Sequence, residues 1–171
     1  MASNRNGFSI DKGLSNTWEM QWVVASGAVG TIASGSPTKC VTADASVAGA
    51  VVPMVDGDGS VTAMRFTGIA KSTSTDTAAA AGTVDTWAPV AGLVYRGKPK
   101  VAGSCNTQAK LNALSGVRVV FDLTSSVWTV DTAAADALVN CVCIVGGYAV
   151  NDEVQFVYSP KGTQFDTSTS M

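Results

Sequence analysis

Apolar residues recur at every second position in several short stretches, a spacing that sets them on one face of a β-strand. In Glu19 to Ala25, Met20, Trp22 and Val24 share a face. In Ser60 to Ala70, Thr62, Met64 and Phe66 alternate with Val61, Ala63 and Arg65. Val117, Val119, Phe121 and Leu123 alternate with Arg118, Val120 and Asp122, and a Thr-Ser-Ser turn then leads into Val127 to Val130, the clearest hairpin of the chain. Further strands are expected over Lys39 to Thr42, Ala50 to Val55, Thr83 to Trp87, Val90 to Arg96, Val139 to Val145 and Glu153 to Tyr158. Pro53 has no N–H for a ladder and pushes its strand toward a sheet edge. One stretch reads as a short helix, Asn106 to Gly116: Asn106 or Thr107 caps it, Leu111 and Leu114 share a face, and Gly116 ends it. Ser26 to Pro37 reads as a long Gly-rich loop, and Gly146 to Asp152 as a turn.

The strand ending in FTGIAK runs into Lys71 to Gly82, which carries no bulky side chain. Such a segment has little to bury against an ordering cost of about 1–2 kcal/mol per residue, so an exposed loop is expected. Asp131 to Ala137 is a second small-residue excursion, and Gly68 marks a bulge or a close backbone approach. Two segments resemble each other. FTGIAK, a loop, then GTVDTWAPV parallels CIVGGYAV, a tighter turn, then NDEVQFVYSP. A small β-barrel or sandwich with two similar hairpins would produce this pattern.

Composition supports the β reading. Val and Ala occur 24 times each against 6 Leu and 4 Ile, and branched side chains suit pleated surfaces better than helices. The expected fold is therefore mainly β, a small barrel or sandwich with at most one or two short helices. At 171 residues one domain is expected over residues 18–160, with a flexible arm at residues 1–17 and a flexible tail at 161–171. Net charge is −2 with 14% charged residues, which supplies no field to draw the chain to nucleic acid or an acidic membrane. No apolar run approaches the roughly 18 residues of a membrane span, and Met1 to Gly13 lacks the apolar core of a signal peptide. Cys40, Cys105, Cys141 and Cys143 then read as reduced thiols.

Candidate chemistry is thin. VDGDGSV, Val55 to Val61, fails as a calcium loop: counted from Asp56, Val61 stands where Gly is needed and Thr67 where Glu is needed. Cys141 and Cys143 share a strand face, but zinc spacing is absent and the chain has no histidine. Ser and Thr nucleophiles therefore lack an imidazole base, and no carboxylate pair is spaced for hydrolysis, so no catalytic residue and no cofactor is expected. Arg96, Lys98 and Lys100 form the one basic cluster, without aromatic platforms for bases. Trp87, Phe121, Trp128, Phe156 and Tyr158 lie on strands and are expected in the core.

Taken in order, FTGIAK, AGTVDTWAPVAGLVYRGKP, LSGVRVVFDLTSSVWTV and CIVGGYAVNDEVQFVYSP resemble the head decoration (cement) proteins of tailed phages. The likeness lies in glycine placement and alternation, spans roughly Val61 to Pro160, and leaves the first 60 residues unmatched. It implies a compact β-barrel-like protein, made in the host cytoplasm and carried on the virion surface. Such a protein is often trimeric and binds major capsid protein where capsomers join. On that reading the unmatched N-terminal region touches the capsid or a neighbouring copy through Phe8, Ile10, Leu14, Trp18 and Trp22, with Arg96, Lys98 and Lys100 as charged contacts. The alternative implied role is a module of a fibre or head that binds host-surface glycans.

Overall fold

The computed structural model describes residues 7–12, 19–25, 31–40, 50–55, 66–77, 80–90, 93–133 and 142–158. The body is mainly β. The strands β2 (Glu19–Val23), β3 (Pro37–Cys40), β4 (Val51–Pro53), β5 (Phe66–Ala70) and β6 (Thr83–Trp87) form one sheet in the order β2-β6-β5-β3-β4. In a second sheet, β7 (Val94–Gly97), β8 (Arg118–Thr124), β9 (Val127–Asp131), β10 (Val142–Tyr148) and β11 (Glu153–Tyr158) run in the order β7-β11-β10-β8-β9, with β1 (Ser9–Lys12) added outside β7.

Numbered within its own set, each group of five strands has the same order: first, fifth, fourth, second, third. Each sheet also curls until its third strand meets the chain just past its first in a parallel bridge, Val24 with Val51 and Pro99 with Val130. The registers agree as well. Trp22 opposite Val84 corresponds to Gly97 opposite Val154, and Ala70 opposite Thr86 to Ile144 opposite Phe156. Pro37 opposite Ile69 corresponds to Arg118 opposite Cys143, and Cys40 opposite Val51 to Phe121 opposite Val130. With the two bridges, one residue-to-residue assignment satisfies every step around both circuits.

Entry to the second strand repeats too. Gly35 (φ 89°) and Gly116 (φ 83°) both take the left-handed turn that glycine tolerates. Their N–H groups donate to Ala70 and Ile144. Those residues in turn donate to Ser36 and Val117, and Ser36 and Val117 to Ala33 and Leu114. The chain has folded the same five-strand plan twice. The two hairpins that look alike in sequence, β5–β6 and β10–β11, are the fourth and fifth strands of each set.

The two sets differ in what fills them. Val24, Ile32, Val51, Ala70 and Val84 make a small aliphatic core in the first, with Trp22 packed against it. Buried hydroxyls there are satisfied: Thr38 meets Thr67 at 2.8 Å and the carbonyl of Gly68 at 2.9 Å, and Trp22 Nε1 donates to Thr86 Oγ1 at 3.1 Å. The second core is aromatic, with Phe8, Tyr95, Phe121, Trp128 and Phe156 buried together. It reaches across to Met54, Phe66 and Ile69 of the first set. Phe66 stacks on Tyr158 with centroids 3.6 Å apart, and Tyr95 donates its hydroxyl toward the carbonyls of Trp87 and Ala88. Burial holds the Tyr95 phenol far above its ordinary pKa, so it remains a donor.

Several expectations are corrected. Residues 8–12 belong to the fold: Phe8 is fully buried, β1 pairs with β7, and Ile10 packs on the aromatic core. Two apolar residues in a polar stretch are too few to reveal a strand by periodicity. Gly146 and Gly147 lie within β10 opposite Gln155 and Val154, and the turn shrinks to a 3₁₀ helix at Ala149–Asn151. Within the expected loop at Ser26 to Pro37, Ile32 is fully buried and Pro37 opens β3. The helix α1 (Gln108–Leu114) forms as read, with Thr107 as its cap and Leu111 buried. The β8–β9 turn places Ser125 and Ser126 at φ 51° and 64°, the two-residue geometry that matches strand twist. Leu14, Trp18, Cys141, the Val55 to Val61 loop beyond Val55, most of Asp131 to Ala137 and the tail at 161–171 lie outside the described residues.

Candidate interaction surface

Arg96, Lys98 and Lys100 alternate along β7 and its continuation, and each is engaged within the chain. Arg96 Nε donates to Ser9 Oγ at 3.2 Å. Lys98 Nζ donates to the carbonyl of Asn151 and lies 3.6 Å from Glu153. Lys100 Nζ sits between Asp122 at 2.7 Å and Asp131 at 2.9 Å. The cluster read from sequence as a charged contact for a partner is thus largely committed to internal pairs. Its partners lie far along the chain, which no local motif could show.

Asp122 is the buried member of this group. Burial pushes its carboxyl up, but hydrogen bonds from Lys100, Thr124 and Thr129 outweigh it and hold the carboxyl below its usual range. Its bonds to Asp122 and Asp131 raise the Lys100 ammonium above its ordinary value. A carboxylate with a depressed folded-state pKa stabilises above its unfolded pKa, and that contribution is lost as pH falls through the folded value. Asp122→Asn is expected to cost about 1–2 kcal/mol at neutral pH, in the lower range for charged hydrogen bonds because Lys100 stays solvated. Its stability should also fall less steeply than wild type below about pH 4. Urea unfolding between pH 2 and 7 reads both, and a parallel pH profile would refute the role.

Asp152 makes a second node. In the left-handed region at φ 49°, it accepts the N–H of Cys105 at 2.8 Å and of Gly103 at 2.6 Å. It thereby fastens the loop before α1 to the turn between β10 and β11. Lys110 reinforces that loop through the carbonyl of Gly103 and the side chain of Asn106. Val101 is exposed on the loop, and Tyr148 and Val150 are exposed at the turn, Val150 completely. Apolar side chains held on a fixed backbone are what an adhesive surface needs, since little entropy is lost when they are covered. From sequence alone this segment reads as a plain turn; the signal that it is more is an apolar pair, Ala149-Val150, where turns are ordinarily polar.

The small-residue excursion after β5 is more ordered than its composition suggests. Ser74 exchanges two hydrogen bonds with Ile32, each 2.9 Å, and is buried. Thr75 and Thr83 bond to each other at 3.0 Å, and Thr77 pairs with Ala80. A Cβ at Gly82 would lie 2.1 Å from the nitrogen of Asp76. Bulk is missing because the two backbones nearly touch, and hydrogen bonds offset the ordering cost that side chains cannot. Alternate residues, Lys71, Thr73, Thr75 and Thr77, still face water.

Of the remaining sequence candidates, Phe8 is removed from any contact surface by full burial, Ile10 is half-buried, and Trp22 is half-buried with its indole bonded to Thr86. Trp87, Phe121, Trp128, Phe156 and Tyr158 pack in or against the aromatic core. Cys40, Cys105 and Cys143 are free thiols, and burial pushes that of Cys105 up. Among the described residues no three His, Cys, Asp or Glu side chains gather as a metal would require, and no helix is long and apolar enough to cross a membrane. Comparison with protein-family models, curated proteins and solved structures found no match.

Proposed function

We propose that this chain is a structural virion protein that binds the outer surface of a tailed-phage capsid as a homo-oligomer, a trimer, and stabilises the contacts between capsomers. The observation that carries the reading is the pair of loops locked together by Asp152, which present Val101, Tyr148 and Val150 to solvent. It joins the sequence resemblance to decoration proteins. The cations are tied up internally, so apolar area and fixed shape supply the grip. Modest affinity per copy suffices when it is multiplied over a symmetric lattice. The glycan-binding alternative draws on exposed aromatic faces, whereas Phe121, Trp128 and Phe156 are buried in the core and Trp87 and Tyr158 pack half-buried against it.

Undecorated heads incubated with the protein are expected to burst at a higher temperature than heads alone. Val150→Asp should weaken head binding at least about tenfold, because a charge would be desolvated at the contact. Its melting temperature should stay unchanged, since the side chain is fully exposed. Equal bursting temperatures with and without the protein would sink the proposal.

A further inference from the structure

The repeated plan has one unmatched part. In the second set, β1 lies along the outer edge of the first strand, with Ser9 opposite Arg96, Ile10 opposite Tyr95 and Lys12 opposite Val94. By the register shared between the sets, Arg96, Tyr95 and Val94 correspond to Gln21, Met20 and Glu19 of β2. The Val24 N–H donates to Gly82, continuing the β6 side, while the Ala25 N–H donates to Val51 on the far side. Alternation therefore aims the N–H and C=O of Glu19 and Gln21 away from β6, along the line that β1 occupies in the other set. Among the described residues nothing pairs with that line.

Burial tells the same story. Tyr95, opposite Ile10 of β1, and Gly97, under the Phe8 ring, are buried, while their counterparts Met20 and Trp22 are half-buried. Two of the devices that blunt an edge strand are missing from β2, whose register with β6 runs unbroken over five residues, with no proline and no bulge; Glu19, paired with Lys71, is its one charge.

Resting on the capsid reading above, we infer that the β2 edge at Glu19 to Gln21 receives an extended segment of the shell subunit, paired antiparallel as β1 is on β7. The register specifies its chemistry. A residue opposite Met20 is apolar, as Ile10 is opposite Tyr95, and its neighbours opposite Gln21 and Glu19 are polar, as Ser9 is opposite Arg96. No aromatic anchor is needed. Phe8 fills the space over Gly97, where a Cβ would come within 2.4 Å of its ring, but Trp22 stands at that register position and its indole reaches Thr86, the counterpart of Phe156. Main-chain pairing adds to the grip of the apolar loops, and the single apolar position gives selectivity.

The test uses the full-length protein and undecorated heads. Residue-resolved hydrogen exchange on the free protein should show fast amides at Glu19 and Gln21 and slow ones at Met20 and Trp22. On heads, Glu19 and Gln21 should slow at least tenfold. Gln21→Pro removes the outward N–H without touching the β6 ladder, and should lower head affinity at least tenfold. Gln21→Ala should stay within twofold, with both variants melting near wild type. Slow Glu19 and Gln21 amides in the free protein would mean that the chain covers its own edge, and would overturn the inference. Wild-type affinity in Gln21→Pro would overturn it while leaving the capsid role standing. Failure of the wild-type protein to bind heads would remove both.

Discussion

Phe8→Ala is expected to lower the unfolding free energy by about 3–5 kcal/mol, the range for emptying a buried aromatic site. The ring is fully buried, 4.7 Å from Phe121 and 5.0 Å edge-on from Phe156. Its backbone N–H donates to Gly35 of the other set, so the same residue helps join the two halves. At this chain length the loss corresponds to a drop of roughly 10 °C in melting temperature. A phenylalanine on a solvated arm would cost under about 0.5 kcal/mol, which makes urea unfolding of the single variant decisive. A double-mutant cycle sharpens it. Gly97→Ala drives a methyl into the Phe8 ring, and that cost should shrink once Phe8 is alanine. Additive costs would mean that the ring is not seated over Gly97.

The fold class was legible because alternation, Val and Ala abundance and turn residues all favour strands. Pro53 sits on an edge strand as its missing N–H required, α1 has the cap that Thr107 offered, and the resemblance of FTGIAK to CIVGGYAV was the trace of the doubled plan. The doubling itself was hidden, since it lives in register, and register is set between residues far apart in the chain, 68 positions for Glu19 and Trp87. A second trace, Ser34-Gly35 against Ser115-Gly116, is only two residues long. The contact surface was read less well. Arg96, Lys98 and Lys100 were visible as a cluster, but Asp122, Asp131 and Glu153 reach them only through the folded sheet. Phe8 was misplaced for a related reason: what makes it a core residue is Gly97, which leaves room for it 89 positions away in the chain.

Gly68→Ala is expected to be the other severe substitution, costing about 2–5 kcal/mol as the sum of strain and overpacking. Gly68 holds φ 138°, a conformation that side chains rarely adopt. An added Cβ would lie 2.3 Å from the carbonyl oxygen of Trp87 and 3.0 Å from the Thr86 side chain. The obstacle is backbone of the paired strand, so no rotamer change relieves it; β5 and β6 would have to separate. The site also sits beside the irregularity where Thr38 faces Gly68 but Lys39 faces Phe66, and Thr38 donates to the Gly68 carbonyl. Moving β5 would therefore disturb its pairing on both sides. Gly116→Ala is the control. It shares a positive φ of 83° yet has nothing within 4 Å of the added carbon, so it should cost only the conformational strain of about 1–2 kcal/mol. Equal losses in the two variants, measured by urea unfolding, would show that the β5–β6 contact is looser than this geometry requires. A larger loss at Gly68 would trace it to the backbone approach that the glycine of FTGIAK permits.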